Sequence, residues 1–188
     1  MPIEKKLFTF AVLSDTHIIS KSDIGTSPYA VNNLTTGRTE WAVKDIKTQQ
    51  PDFVIHVGDM IRPFPSLEAF KPACQEARKI FASLPCDVHF IPGNHDVGDK
   101  PIAYAPAPSV SQDFIEKYQT EFGEHYSSFS RGQCHFVLLN ASVFNSGLRL
   151  EEQQQSWLID DLARHSGERI FVFLHYPPFL AEPDEAPH

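Results

Sequence analysis

Val88–Asp96 reads VHFIPGNHD, and its two halves belong to different kinds of structure. VHFIP is a short apolar run with the length and composition of a buried strand. GNHD is a glycine turn that releases an amide, an imidazole and a carboxylate in succession. The same junction recurs along the chain. LFTFAVLS (Leu7–Ser14) leads into DTH (Asp15–His17), DFVIHV (Asp52–Val57) leads into GDM (Gly58–Met60), and RIFVFLH (Arg169–His175) closes on a single histidine. Metal-ligating side chains are thereby delivered to the ends of successive strands, where an α/β sheet gathers its reacting groups. Asp, His and Asn are hard-to-borderline ligands, and two clustered divalent ions are the usual reason to assemble them.

Working outward, apolar runs rich in Phe, Val and Ile predict strands at Leu7–Ser14, Phe53–Val57, Val88–Ile91, Cys134–Leu139 and Arg169–Leu174. Helical spacing predicts helices near Arg38–Gln49, Pro72–Ser83, Ser111–Phe122 and Glu151–Arg164. Cys74, Ala77, Phe81 and Leu84 recur on one side of the second helix. Phe114, Tyr118 and Phe122 do so on the third, and Trp157, Leu158 and Leu162 on the fourth, which reads as packed on a sheet. Pro72 suits a first helical turn, where its missing N–H costs nothing. Alternating strands and helices make this an α/β chain of one domain over residues 1–188. Ile18–Thr36, Val97–Ser109 and Tyr176–His188 read as long loops leaving the strand ends, the segments that normally select substrate.

Composition narrows the function. The chain has 188 residues, 41% of them hydrophobic, which suits a globular core, and its formal charge of −8 disfavours a broad nucleic-acid surface. No apolar run approaches the roughly 18–20 residues that span a bilayer. Cys74, Cys86 and Cys134 form neither a disulfide framework nor a zinc pattern, so they read as buried thiols and the cytoplasm is the expected address. His56 and His89 lie inside strands and read as core residues; His125, His135 and His165 have no ligand spacing and default to structure or surface. Asn140, Arg62 and Tyr176 stand close to the motifs, with a structural or solvated role the plainer reading for the first two.

In order, DTH, GDM, GNHD and the lone His175 resemble the pattern of the calcineurin-like metallophosphoesterase family. With VGDKP after GNHD and a later helix carrying QSWL, the chain looks most like a bacterial relative of the calcineurin-like phosphoesterase domain proteins. The resemblance implies a four-layer α/β/β/α sandwich of the metallo-dependent phosphatase type. It implies two divalent ions (manganese, iron, zinc or nickel), with Asp15 and His17 on the first, Asp59 bridging, and Asn94 and His175 on the second. The reaction implied is hydrolysis of a phosphate ester, by a phosphatase or phosphodiesterase using a metal-bound hydroxide. Its substrate would be a small phosphate ester or a phosphoprotein. His95 would act on the phosphate as a catalytic group without binding metal, and Asp96 would orient its ring. The family's G-H-x-H does not follow His175 before His188, so the chain is expected to be the first part of a longer protein, its sheet incomplete on the C-terminal side. The rival readings are a non-catalytic binding module that keeps this fold and a metal-dependent nuclease.

Overall fold

The computed structural model describes residues 7–21, 29–101 and 107–177. Two three-stranded sheets lie at its centre. Sheet 1 is parallel throughout, in the order β1 (Phe10–Leu13), β2 (Phe53–Val57), β3 (Asp87–Ile91). Sheet 2 pairs β4 (Ser127–Arg131) antiparallel with β5 (Cys134–Leu138), and β5 parallel with β6 (Arg169–Phe173). The helices are α1 (Thr35–Gln49), α2 (Phe70–Phe81), the single turn α3 (Asn94–Val97), α4 (Gln112–Phe122) and α5 (Arg149–Arg164).

The alternation of side chains along each strand sorts them into layers. Phe53 and Ile55 of β2, with Ile91 of β3, meet Cys134, Phe136 and Leu138 of β5 in one buried cluster between the sheets. Aromatic rings close it: Phe10 stacks on Phe53 at 5.2 Å and Phe136 on Phe129 at 4.9 Å. Each fully buried Phe or Ile contributes about 1.5–3 kcal/mol, so Phe136→Ala, which hollows the middle of this layer, should cost about 3–5 kcal/mol. The opposite face of β2 carries Val54, which packs with Val43 and Ile46 of α1, Ala73, Cys74, Ala77 and Phe81 of α2, and Ile115 and Tyr118 of α4. Residues of β5 on the far side of sheet 2 meet α5, as His135 pairs with Asp161. The order of layers is α/β/β/α, as the resemblance implied.

Differences from expectation have local causes. β1 begins at Phe10 rather than Leu7, and α1 begins at Thr35, after a short 3-10 turn at Ala30–Leu34. No strand is expected from the sequence at Ser127–Arg131, because SSFSR carries one large apolar residue in five. β4 forms there by pairing with β5, turning Phe129 into the inter-sheet layer while Ser128 and Ser130 bond Asp161 and His135. On α5 the most buried residues are the polar Gln154 and Asp161, with Trp157, Leu158 and Leu162 only half-buried. His56 is fully buried, as expected of a core residue, whereas His89 is only half-buried and stacks on Phe129 at 3.8 Å. Cys74 and Cys134 are buried, Cys86 is partly so, and all three are free. Among the described residues no helix is long and apolar enough to cross a membrane. Most of the predicted loop Tyr176–His188, including His188, lies outside the described residues.

Candidate metal centre

Because β1, β2 and β3 are parallel and adjacent, their C-terminal ends open on one edge, and the three motifs leave from it side by side. The pairing continues past the strands: Asp15 N–H donates to the Gly58 carbonyl at 3.0 Å, and His17 N–H to the Asp59 carbonyl at 3.0 Å. Asp15, His17 and Asp59 all hold positive φ (54°, 43° and 54°). Left-handed backbone at non-glycine residues costs of order 1–3 kcal/mol each and persists where the surroundings over-determine it. Here it bends the chain sharply enough that side chains two residues apart reach one point.

Two glycines make the close approach possible. A Cβ on Gly93 would lie 2.2 Å from Asp59 Oδ1 and 2.4 Å from its backbone nitrogen. One on Gly58, at φ 95°, would meet the Gly93 nitrogen and His175 Nδ1, each at 2.7 Å. The G of GD and the G of GNHD therefore exist so that two loops can touch.

Asp59, with a side chain only 6% exposed, lies at the middle. Its Oδ2 is 3.6 Å from His17 Nε2, and its Oδ1 is 3.5 Å from His175 Nε2. Oδ1 also accepts the His95 N–H at 2.9 Å, which fixes the carboxylate's direction. Asp15 Oδ1 is 3.8 Å from His17 Nε2, and its other oxygen accepts from Ser14 Oγ. Burial holds the His17 imidazole below its usual pKa, despite Asp59 beside it, and so favours the neutral ring that a metal needs.

His175 tests the fit. Its Nδ1 is 2.9 Å from the Val57 carbonyl, an acceptor only, so Nδ1 carries the proton and donates. Nε2 then faces Asn94 Oδ1 at 3.3 Å and Asp59 Oδ1 at 3.5 Å. An imidazole nitrogen, an amide oxygen and a carboxylate oxygen converging in this way suit a cation. Asp15, Asp59 and His175 offer ligand atoms within 4.8 Å of one another, as do His17, Asp59 and His95, with Asp59 common to both groups. In these groupings Asp15 falls with His175 and His95 with His17.

The side chains of His95 and Asp96 take different partners, where the expectation had Asp96 orienting the His95 ring. His95 Nδ1 donates to the Arg62 carbonyl at 2.7 Å, and Phe64 covers the ring at 4.6 Å between centroids. The residue expected to orient that ring, Asp96, is fully buried and faces elsewhere. Its carboxylate accepts the backbone N–H groups of Gly93 (2.8 Å), Met60 (3.2 Å) and Ile61 (3.2 Å). Asp96 is the clasp between the GD and GNHD loops, a role set by three unpaired donors that only a buried acceptor can satisfy. Burial, reinforced by Asp59, pushes its carboxyl up to about 8, against those three donors, which favour the anion.

The neighbours named with the motifs fall out differently. Arg62 contributes its carbonyl to His95, while its guanidinium bonds the Asn32 carbonyl at 3.2 Å. Asn140 turns into a buried network with Gln154 and His125 and stays out of the centre. Tyr176 is anchored beside it, its hydroxyl donating to buried Asp99 at 2.5 Å. The carbonyls of Val57 and Arg62 that orient the two histidines leave no trace in the sequence, since every residue has a carbonyl.

Comparison with known proteins identifies the family. The profile described as calcineurin-like phosphoesterase matches residues 8–187. The chain belongs to that family. It is 30% identical over 159 residues to the serine/threonine-protein phosphatase CPPED1 of Danio rerio, covering 78% of this chain and 48% of that one. The human CPPED1 is 27% identical over 158 residues, covering 78% and 47%. The chain thus spans about half the length of these curated relatives. Among solved structures, a dimetal phosphatase from Danio rerio superposes with a TM-score of 0.65 at 17% identity, over 93% of this chain and 71% of that one. A purple acid phosphatase from yellow lupin follows at 0.53 and 15%, over 85% and 28%. At these identities the two structures speak for the fold, the metallo-dependent phosphatase type of this calcineurin-like phosphoesterase chain.

Proposed function

We propose that this chain carries the metal-binding part of a phosphoric ester hydrolase acting through a dinuclear divalent centre. One observation supports the reading above others: the two oxygens of Asp59 face different histidines, His17 and His175, at nearly equal distances. A carboxylate set between two imidazoles in this way is suited to bridge two ions. Asp15 and His17 would complete one side, and Asn94 and His175 the other. Two imidazoles, two carboxylates and one amide suit manganese, iron, zinc or nickel. When bound, such ions supply Lewis acidity and lower the pKa of water.

The chain's own residues define the rest. His175 and His95 each have Nδ1 held by a carbonyl, which turns Nε2 away from it and, for His175, toward Asp59 and Asn94. His95, whose ring packs edge-on against His17 at 4.6 Å between centroids, is placed to hold a phosphate oxygen and to pass a proton to the leaving oxygen. Phe64 limits rotation of that ring. Asp96 keeps the two loops at contact distance and has no direct part in the reaction.

The CPPED1 relatives are named serine/threonine-protein phosphatases, so a phosphoserine or phosphothreonine peptide joins small phosphate esters as a candidate substrate. Hydrolysis of nitrophenyl mono- and diesters and of a phosphopeptide, with each metal supplied in turn, tests the reading. Activity should vanish with Asp59→Asn. Bound metal without hydrolysis of any ester would instead favour a binding module.

A further inference from the structure

A second group of metal-ligating side chains lies on sheet 2, at the end remote from His175. His135, Asp161 and His165 offer ligand atoms all within 4.8 Å of one another, the same spacing as the two groups around Asp59. His135 is the second residue of β5, and Asp161 and His165 flank the end of α5. His175 follows the opposite end of β6, so the length of a five-residue strand, roughly 16 Å, separates this group from the first.

The way the remaining atoms are tethered sets this group apart from a simple buried ion pair. His135 Nδ1 is bonded to Ser130 Oγ at 2.8 Å. Asp161 Oδ1 accepts from Ser128 Oγ at 2.9 Å, and His165 Nδ1 donates to Glu168 Oε1 at 2.7 Å. Each side chain thus has one polar atom tied back, while the second atoms of His135 and Asp161 are joined to each other at 2.7 Å and that of His165 lies close by. That is the arrangement by which outer-shell groups orient metal ligands. His135 and Asp161 are buried, which makes their directions rigid.

We propose that His135, Asp161 and His165 form a mononuclear site for a borderline divalent cation such as zinc, separate from the dinuclear centre. Two imidazoles and a carboxylate favour zinc, cobalt or nickel over magnesium or calcium. The ion replaces the proton now shared by His135 Nε2 and Asp161 Oδ2, which are 2.7 Å apart, and that proton leaves to solvent. Tetrahedral donors at about 2.1 Å from zinc lie roughly 3.4 Å apart, so the pair opens by about 0.7 Å. The His165 ring, stacked nearly parallel on His135 at 3.6 Å, tilts about its Nδ1–Glu168 hydrogen bond to bring Nε2 toward the ion. It has room to do so, because it caps the end of α5 with a side chain 28% exposed. Ser130 and Glu168, which tether two of the ligands, also line a neighbouring cavity of about 640 Å³. Arg164 Nη2, 3.5 Å from Asp161 Oδ1, opposes the cation, but its side chain is 65% exposed and the charge is screened. An ion here would tie α5 to β5.

The test is zinc and cobalt titration of the full chain carrying Asp59→Asn, which disables the dinuclear centre. Binding is read by calorimetry, and cobalt coordination by its visible absorption. The expected result is one ion per chain with tetrahedral cobalt bands. Adding His165→Ala should abolish it, and adding Glu168→Gln should weaken it about 10-fold or more. Circular dichroism checks that each variant folds. In the wild-type chain, imidazole nitrogen NMR shifts of His135 and His165 on zinc addition report the same site without mutation. Failure of the Asp59→Asn chain to take up an ion, or uptake unchanged by His165→Ala, would overturn the proposal and leave the dinuclear reading untouched.

Discussion

Gly93→Ala is the sharpest perturbation of the centre, because it adds one methyl group and no charge. The new Cβ would stand 2.2 Å from Asp59 Oδ1, where ordinary contact begins at 3.4 Å. Relief requires about 1.2 Å of movement by Asp59 or by the GNHD turn, since the obstacle includes the Asp59 backbone nitrogen at 2.4 Å and cannot simply rotate away. Asp59 is the shared carboxylate, so a shift of that size spoils both halves of the centre. A misplacement of about 1 Å can cost 10²-fold in rate, and overpacking of this kind costs about 1–3 kcal/mol in stability. For a chain of this size that is roughly 2–12 °C in Tm. The assay is metal content after zinc or manganese loading, with thermal unfolding alongside. Gly37→Ala is the control: it lies within α1, nothing stands within 4 Å of its added Cβ, and it should leave metal content alone. It should also raise stability by about 0.4–1 kcal/mol. If Gly93→Ala loads both ions with unchanged affinity, the contact between the two loops is not what builds the site.

Three further outcomes follow from the geometry. His95→Ala should keep metal content while lowering turnover about 10²–10⁴-fold, measured with a nitrophenyl ester; equal turnover would remove His95 from the reaction. Asp96→Asn should destabilise by about 1–3 kcal/mol, because an amide cannot accept all three loop N–H groups, and metal affinity should fall with it in urea and chelator titrations. Intact stability combined with lost turnover would restore a direct catalytic role to Asp96. His125 is buried and burial pulls its pKa down to about 4, whereas unfolded it titrates near 6.5. Between those values the unfolded chain holds the proton and the folded one does not, so stability is lost as pH falls through this window. The loss from His125 should be about 2 kcal/mol between pH 7 and pH 5, and His125→Gln should remove that share of the slope in urea unfolding.

Much of the fold was legible because its signals are local. Runs such as FVIHV and RIFVF are apolar enough to be strands in any context, and both appear where expected. β4 was not legible: SSFSR becomes a strand only because β5 offers it a ladder and Phe136 offers Phe129 a partner. The buried face of α5 was misread for the same reason. Gln154 and Asp161 are polar by sequence, yet they are the residues most deeply covered, since Asn140 and His135 wait for them on the sheet. His135 itself carried no ligand spacing along the chain. It meets His165 only after β5 and α5 have packed.

What the sequence alone determined is which side chains stand at the strand ends and in what order. Asp15, His17, Asp59, Asn94 and His95 follow from the junction of an apolar run with a turn, and the parallel sheet β1–β2–β3 must bring such junctions to one edge. His175, after β6 of sheet 2, reaches them only through the packing of the two sheets. What the tertiary structure decided is the division of labour among them. Only contact between GD and GNHD, 35 residues apart from Gly58 to Gly93, explains both glycines. Only the same contact shows that Asp96 clasps the loops while the Arg62 carbonyl orients His95. The physical reason is the same throughout. Strand and turn propensities act over a few neighbouring residues, whereas the direction of a buried carboxylate or imidazole is set by whichever donor or acceptor the fold brings to it from elsewhere in the chain.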